Sequence, residues 1–197
     1  MKLITLFLLV GIIASGGCSK KAPTFTPELF LKAEAGDAVA QRNLGVCYYM
    51  GYGVNQDVKE SVKWVTKAAN QGDADGQRLL GYNFATGEGV TQDYKEAVKW
   101  YTKSAEQGNA WAQNELGTYY QHGKGVTQDY KEAAKWYTKS ARQGDAVAQC
   151  NLGLCYGYGL GVPKDHKEAV KWYTKSAEQG NTWAKGTLEA INKSESK

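Results

Sequence analysis

A twenty-residue stretch recurs every 36 residues along this chain, and this repetition limits the possible folds more than any other feature. Gly89–Gly108 reads GVTQDYKEAVKWYTKSAEQG and returns at Gly125–Gly144 with two changes, at Gly161–Gly180 with three, and at Gly53–Gly72 with six. Self-similarity at a spacing of roughly 20–50 residues is typical of an array in which each unit buries its apolar face only against its neighbours. The period therefore predicts a stack of repeats.

Each repeat is predicted to contain two helices joined by short glycine turns. In the second copy, Asp73 is expected to cap a helix over 74–86, which a Gly-Glu-Gly turn ends because glycine tolerates the left-handed backbone of a helix end. Asp93, followed three residues later by Glu96, has a capping-box pattern and predicts a second helix over 94–107. The pattern returns in every copy, so the predicted fold class is all-α.

The apolar residues of both helices fall on stripes with helical spacing. The stripes of the second copy are Ala97, Trp100, Tyr101, Ser104 and Ala105 on the second helix, and Gly76, Leu80, Gly81 and Phe84 on the first. The leucine is expected to fill the interface, and the glycine beside it to let the two helices approach closely. The recurring tryptophans are expected in the core, because large aromatic side chains dominate core energetics.

The sequence divides into a leader, a tether and the repeat array. Residues 1–17 are predicted to be a signal peptide, and residues 18–25 a tether. The predicted array has an N-terminal cap helix over 26–36, four repeats over 37–72, 73–108, 109–144 and 145–180, and a C-terminal cap helix with a tail over 181–197. Each end carries half a repeat, as expected of the caps of a repeat stack.

The leader has the composition of a secretory signal. Lys2 precedes a largely apolar run, Leu3–Ala14, which is short for a membrane span but suits a signal peptide. The residues around Cys18 resemble the lipobox of bacterial lipoproteins, in which the cysteine is acylated, although Ser15 departs from the usual leucine. We therefore expect an exported protein on the periplasmic side of the envelope, anchored to a membrane through Cys18. The expected membrane is the outer membrane. Simple cleavage near Gly17 is the alternative.

Composition and residue spacing argue against several function classes. A net charge of +4 is mild and no nucleic-acid-binding motif accompanies it, so no nucleic-acid partner is expected. In a stacked array Cys47, Cys150 and Cys155 cannot form a disulfide with one another, and neither His122 nor His166 has zinc-ligand spacing with them. No histidine stands near a predicted nucleophile. The sequence predicts three free thiols at buried or half-buried positions, no metal, no cofactor and no catalytic residues.

Several motifs resemble those of a known repeat family. Leu116–Tyr120 reads Leu-Gly-x-x-Tyr, and Lys-Glu-Ala-x-Lys-Trp-Tyr recurs through the chain. These motifs are similar to Sel1-like repeats, relatives of tetratricopeptide repeats, with four complete copies between Asp37 and Gly180. The resemblance implies a right-handed α-solenoid that acts as an adaptor or scaffold in multiprotein assemblies. Cysteine-rich secreted members have been linked to β-lactam binding and weak β-lactamase activity, which is the alternative from another class, although repeats two and three contain no cysteine here.

The variable face of the first helices is the predicted binding surface. First helices tend to line the concave side of such solenoids. Opposite the Leu-Gly stripe their residues differ between copies, whereas the second helices are almost identical, as expected of a binding array. If exposed, aromatic and arginine side chains there would suit a protein or peptide partner. The alternative binding function is inhibition or regulation of a cell-wall enzyme. The candidate contacts are Trp111, Tyr82, Arg42, Arg78, Tyr49, Asn114 and Tyr158.

Overall fold

The computed structural model describes residues 22–195 of the chain, which form ten α-helices and contain no β-strand. The helices are α1 Pro27–Glu34, α2 Ala38–Met50, α3 Val58–Asn70, α4 Ala74–Thr86, α5 Tyr94–Glu106, α6 Ala110–His122, α7 Tyr130–Arg142, α8 Ala146–Tyr158, α9 His166–Glu178 and α10 Thr182–Glu195. The expected signal peptide and Cys18 lie outside the described residues. The predicted all-α solenoid is confirmed.

Helices that follow one another in the chain make the main contacts of the fold. The first and second helices of the four repeats are α2 and α3, α4 and α5, α6 and α7, and α8 and α9, while α1 packs on α2 and α10 on α9. The helix predicted over 74–86 has those bounds, and the one predicted over 94–107 ends one residue earlier, at Glu106. Each repeat therefore stacks on its neighbours, and the stack has no single central core.

Helix ends are defined by repeated caps. Each first helix ends at a glycine with φ between 65° and 78°, a left-handed conformation that side chains disfavour. Each second helix starts at an aspartate whose carboxylate accepts a hydrogen bond from the backbone N–H three residues later. The glycines are Gly51, Gly87, Gly123 and Gly159, and the aspartates are Asp57, Asp93, Asp129 and Asp165.

The second hydrogen bond of the predicted capping box, from the aspartate N–H to the glutamate, does not form, so this part of the prediction is wrong. In a capping box the glutamate would accept from the backbone N–H of the aspartate, but in the second repeat the Asp93 N–H donates to the carbonyl of Phe84 on the preceding helix, at 2.9 Å. The Glu96 carboxylate instead accepts from Lys99 Nζ at 3.0 Å. The other three repeats make the same pair of contacts. The cap thus ties the second helix to the first.

The predicted close approach at the Leu-Gly pair is confirmed. A methyl group built on Gly81 would lie 2.6 Å from Cδ1 of Tyr101, and one on Gly153 would lie 2.7 Å from Cδ1 of Tyr173. Both tyrosines are buried. The ring of the second helix therefore lies directly on the backbone of the first, where only glycine leaves enough room.

The tryptophans of the second helices pack as predicted. Trp64, Trp100 and Trp136 are buried, and Trp172, in the last repeat, is partly buried. A lysine three residues later covers each ring, and its Nζ lies 3.8–4.6 Å from the ring centroid. The lysine stems therefore shield apolar surface while their charges remain near solvent.

Buried glutamines connect consecutive helices, a feature that the sequence analysis missed. Gln113 on α6 donates through Nε2 to the carbonyl of Ala105 on α5 at 2.9 Å, and its Oε1 accepts from Gln143 Nε2 after α7 at 2.8 Å. Its side chain is thus hydrogen-bonded to both flanking helical segments, which offsets the cost of burying an amide. The set that makes these bonds, which we term the glutamine ladder, comprises Gln41, Gln77, Gln113 and Gln149 with their partners Gln71, Gln107, Gln143 and Gln179.

Replacing Gly153 by alanine should destabilise the fold. The added methyl overpacks the Tyr173 ring, which typically costs about 1–3 kcal/mol and outweighs the roughly 1 kcal/mol gained in helix propensity. Gly157→Ala is the matched control, because it lies on the same helix and its methyl would be 3.7 Å from the same tyrosine. Urea unfolding followed by circular dichroism measures both variants. Equal or greater stability of Gly153→Ala would contradict the close-contact argument.

Replacing Gln113 by leucine should lower the free energy of unfolding by about 1–3 kcal/mol, since Ala105 and Gln143 lose buried hydrogen-bond partners. Gln128→Leu is the control, because Gln128 donates to the carbonyl of Gln121 and to the Tyr130 hydroxyl at exposed positions. Adding Gln143→Leu to Gln113→Leu should cost less than the sum of the single changes. Additive losses in this double-mutant cycle would show that the two amides are not coupled.

Candidate partner-binding face

The second residue of each first helix forms a row along one side of the stack, which we term the second-position row. It comprises Val39, Asp75, Trp111, Val147 and Trp183. Val39, Val147 and Trp183 are 50%, 53% and 51% exposed. Large apolar side chains are usually buried, so their recurrence at one register is notable. The row offers separate apolar contacts spaced one per layer.

The two tryptophans of this row rest on the buried tyrosines. The Trp111 ring meets Tyr101 edge-on, with centroids 5.7 Å apart, and Trp183 lies 5.9 Å from Tyr173. Trp111 is half-buried, and Trp183 is more exposed. Because Tyr101 and Tyr173 are held against glycine, both tryptophans are supported by a rigid base. Such aromatic side chains lose little conformational freedom when a partner binds.

Arg78, predicted to be an exposed contact, is only 2% exposed. Its Nε lies 3.6 Å from the carboxylate of Asp75, and its Cζ lies 5.3 Å from the centroid of Trp111. Burial lowers the pKa of this guanidinium, and its Nη1 has no hydrogen-bond partner among the described residues. The prediction of an exposed Arg78 is wrong, since the fifth residue of a first helix faces the neighbouring first helix. Arg78 instead packs against the ring of Trp111.

Asn114 occupies the same position one repeat later and is also buried, at 5% exposed. Its Oδ1 accepts from Asn151 Nδ2 at 3.0 Å, which joins α6 to α8. Its Nδ2 approaches the Glu115 carboxylate at 3.4 Å. The prediction that Asn114 faces a partner is wrong, because the fifth residue of a first helix faces the neighbouring first helix. Both residues hold adjacent repeats together.

Arg42 is half-buried and its charge is matched by carboxylates of the next repeat. Its Nη1 lies 3.0 Å from Asp73 and 3.3 Å from Asp75. Asp73 also caps α4, so the same carboxylate accepts a hydrogen bond from the start of this helix and pairs with Arg42 of the preceding repeat. Arg42 therefore stabilises the contact between the first two repeats and exposes only part of its side chain.

The three tyrosines of the predicted set differ in exposure. Tyr158, at the end of α8, is 72% exposed. Tyr49 and Tyr82 are half-buried, and the Tyr49 hydroxyl donates to the Glu88 carboxylate in the turn after α4. Burial, with the negative charge of Glu88, raises the pKa of both hydroxyls, which stay protonated at neutral pH. Of the seven candidates, five therefore keep some contact with solvent.

Glu115 is a titratable group that sequence reasoning did not single out. It follows Asn114 on α6, and burial, with the nearby charge of Asp145, raises its pKa to about 7. The hydrogen bond from Asn114 acts in the opposite direction. A carboxyl with this pKa changes charge near neutral pH, and it lies at a junction between repeats.

The three cysteines within residues 22–195 are buried free thiols, as predicted. Burial raises the pKa of Cys47, Cys150 and Cys155 to about 11, so they remain protonated and unreactive at neutral pH. Within residues 22–195, no group of three or more His, Cys, Asp or Glu side chains is placed to hold a metal ion. None of the described helices combines the length and apolar character needed to cross a membrane.

The chain matches the family model for the Sel1 repeat at residues 38–73, 74–109, 112–145 and 146–181. A solved structure of a protective antigen from uropathogenic Escherichia coli, described as having an SLR fold, superposes with a TM-score of 0.79 at 44% identity, covering 83% of this chain and 35% of the antigen. A Sel1 repeat protein from Oxalobacter formigenes superposes with a TM-score of 0.78 at 42% identity, covering 83% of this chain and 66% of that one.

Two further similarities are more limited. Helicobacter pylori cysteine-rich protein B superposes with a TM-score of 0.54 at 28% identity over 68% of this chain and 96% of its own. A sel1-like repeat-containing protein of Acanthamoeba polyphaga mimivirus is 44% identical over 41 residues, which are 21% of this chain and 7% of the viral protein. The chain thus spans only part of the length of several relatives.

Proteins built from these repeats are generally scaffolds for protein–protein interaction, and the solenoid is generally non-enzymatic. The four matched segments cover most of the chain, and the two bacterial solenoids superpose on it over 83% of its length. This chain belongs to the Sel1 repeat family.

Proposed function

We propose that this protein is a non-catalytic scaffold of the bacterial cell envelope that binds a protein or peptide on the face of its first helices. The observation that carries this proposal is the second-position row, in which Val39, Val147 and Trp183 stand about half exposed at the same register. Apolar and aromatic side chains in such a row suit an extended partner that contacts one layer after another.

The division between constant and variable residues supports the proposal. The glycine, tyrosine and glutamine positions that hold the helices together are nearly the same in every repeat, whereas the second position carries Val, Asp or Trp. A uniform support with a varied face allows each layer to contact a different side chain of the partner. The exposed Tyr158 extends the face at the far end of α8.

The proposed location is the periplasmic side of the envelope. The apolar run Leu3–Ala14 and the lipobox-like residues before Cys18 support export followed by acylation of that cysteine. Two or more acyl chains would hold the array at a membrane, each buried methylene contributing roughly 0.8 kcal/mol. Residues 18–25 would then act as a short tether.

Removing the two tryptophans of the row should abolish partner capture. The full-length wild type and the Trp111→Ala/Trp183→Ala variant would each be crosslinked in the native envelope and purified. The amount of partner captured by the variant is expected to be at least tenfold lower than that captured by the wild type. Tyr130→Ala is the matched control, because it removes an exposed aromatic residue from a second helix. Tyr158→Ala tests the face without touching a buried ring, and circular dichroism checks that each variant is folded. Unchanged capture by the tryptophan variant would contradict the assigned face.

Replacing Cys18 by serine should move the protein from the membrane fraction to the soluble periplasmic fraction. The change removes the thiol that would be acylated and leaves the repeats intact. Fractionation and mass spectrometry of the mature N-terminus measure the outcome, with Cys47→Ser as a control cysteine. Retention of Cys18→Ser in the membrane fraction would reject the anchor.

A further inference from the structure

Each second helix exposes three lysines, at its second, sixth and tenth positions. In α5 these are Lys95, Lys99 and Lys103, and the other second helices carry the same triplet at the 36-residue period. Residues four apart lie on the same side of a helix, so each triplet forms a stripe about 12 Å long. The stripes of the four stacked second helices form one basic surface, which we term the lysine face.

Charge is divided unequally between the two kinds of helix. The four second helices contain 13 Lys or Arg and six Asp or Glu, a net charge of +7. The four first helices contain Arg42, Arg78, Asp75 and Glu115, so their net charge is zero. The capping aspartates lie at the N-terminal ends of the second helices, so the excess positive charge is greatest towards the C-terminal ends.

The sixth-position lysines are paired with carboxylates of their own helices. Lys99 Nζ lies 3.0 Å from the Glu96 carboxylate, and the equivalent distances in the other repeats are 2.6, 3.1 and 2.9 Å. Each exposed pair has no net charge, so it attracts a distant anion only weakly. The charge that the lysine face presents therefore comes mainly from its other two rows.

The tenth-position lysines form no salt bridge with a described carboxylate and lie over tryptophan rings instead. Their Nζ atoms are 3.8–4.6 Å from the ring centroids, one in each layer. A stem held on a buried ring keeps its charge at a defined place near solvent and loses little conformational freedom when an anion approaches. We term this set the lysine–tryptophan row, and it comprises Lys67, Lys103, Lys139 and Lys175.

The lysine face offers charge without the features that hold a shaped partner. Protein partners are usually held by aromatic side chains at the centre of an interface, and single-stranded nucleic acids by exposed rings on which bases stack. The tryptophan rings of this face are instead covered by the lysine stems. A layer of anionic lipid headgroups requires only positive charge spread over a surface. The charge pattern therefore favours a membrane over a folded protein or a nucleic acid.

The N-terminal end of the described chain lies at the edge where the second helices begin. The Phe25 N–H donates to the Tyr52 carbonyl, in the turn before α3, at 2.9 Å. Because seven peptide units join Cys18 to Phe25, an acylated Cys18 would lie within roughly 25 Å of this turn. The lysine stripe of α3 starts at Lys59, soon after the same turn. A chain anchored at Cys18 would thus have its lysine face within reach of the headgroups.

We propose that the lysine face docks on the anionic headgroups of the membrane that holds the chain, with the lysine–tryptophan row as its main contact. The inference rests on the proposed function, because it uses the anchor at Cys18, and it adds how the anchored array is oriented. The first helices, with the second-position row, remain free for the partner. Salt screens exposed charges beyond about 8 Å at physiological ionic strength, so this contact orients an anchored chain but does not retain an unanchored one.

Vesicle flotation of the full chain carrying Cys18→Ser, which cannot be acylated, tests the lysine face without the anchor. At about 0.1 M salt, where charges are screened beyond roughly 10 Å, the position of a charge matters as well as the net charge. Vesicles containing about one-third phosphatidylglycerol should bind the protein at least tenfold more tightly than pure phosphatidylcholine vesicles, since each lysine near an anionic surface contributes severalfold. Raising the salt to about 1 M should remove the difference.

Two variants that lose the same charge locate the contact. Lys67→Gln/Lys103→Gln/Lys139→Gln should weaken binding to the anionic vesicles at least tenfold. The matched control is Lys124→Gln/Lys164→Gln/Lys185→Gln, which removes three exposed lysines outside the second helices and should weaken binding less than threefold. Circular dichroism checks that both variants are folded. Equal losses would overturn the inference, because net charge alone would then explain the binding.

Other outcomes separate this inference from the proposed function. Binding of soluble polyphosphate without binding of anionic vesicles would overturn it and indicate an acidic polymer as the ligand. With Cys18 intact, both lysine variants should capture the protein partner as the wild type does. Failure to bind anionic vesicles, with capture still lost only in Trp111→Ala/Trp183→Ala, would overturn this inference and leave the proposed function standing. Capture lost with the lysine–tryptophan variant alone would overturn it too, because the partner would then bind the lysine face.

Discussion

The contact between a glycine of each first helix and the ring or branched side chain packed on it is the constraint on which the stack depends. Gly81 and Tyr101 illustrate it, because there is no room for even a methyl group between backbone and ring. The buried ring then supports what lies above it, including Trp111. Where Val65 replaces the ring, the helices still meet at Gly45, and a small pocket lined in part by Tyr49 and Tyr82 lies beside it.

Several polar groups in this fold act across repeat boundaries. Gln113 of the glutamine ladder donates to the carbonyl of Ala105 in the preceding repeat, and Gln77 and Gln149 make the equivalent bonds to Ala69 and Ala141. A repeat taken alone would leave these groups exposed or unpaired. This agrees with the view that stability in solenoids comes from the interfaces between neighbours as much as from the units. The buried arginine Arg78 follows the same principle, since its carboxylate partner and the Trp111 ring hold it at a junction.

Most of the architecture could be predicted from sequence because it depends on local signals repeated several times. Residue type and spacing were enough to predict the caps, the close contact at the Leu-Gly pair and the buried tryptophans. The candidate face was harder, since rotation about an isolated helix does not reveal that the next first helix covers the fifth position. Arg78 and Asn114 were misplaced for that reason. The small pocket beside Val65 was missed because its signal is a departure from the repeat, a valine where the other three repeats have a tyrosine.

The contacts between first helices differ at every junction, whereas the glutamine ladder is the same throughout. Arg42 meets two carboxylates at the first junction, and Asn114 meets Asn151 at the third. Nearly identical repeats face the hazard that a unit docks on the wrong neighbour during folding. A slip by one period would preserve every ladder bond but separate Arg42 from Asp73 and Asp75. A few polar pairs on the variable side thus distinguish one junction from the next, so the side of the solenoid proposed for recognition also favours the correct order of the layers.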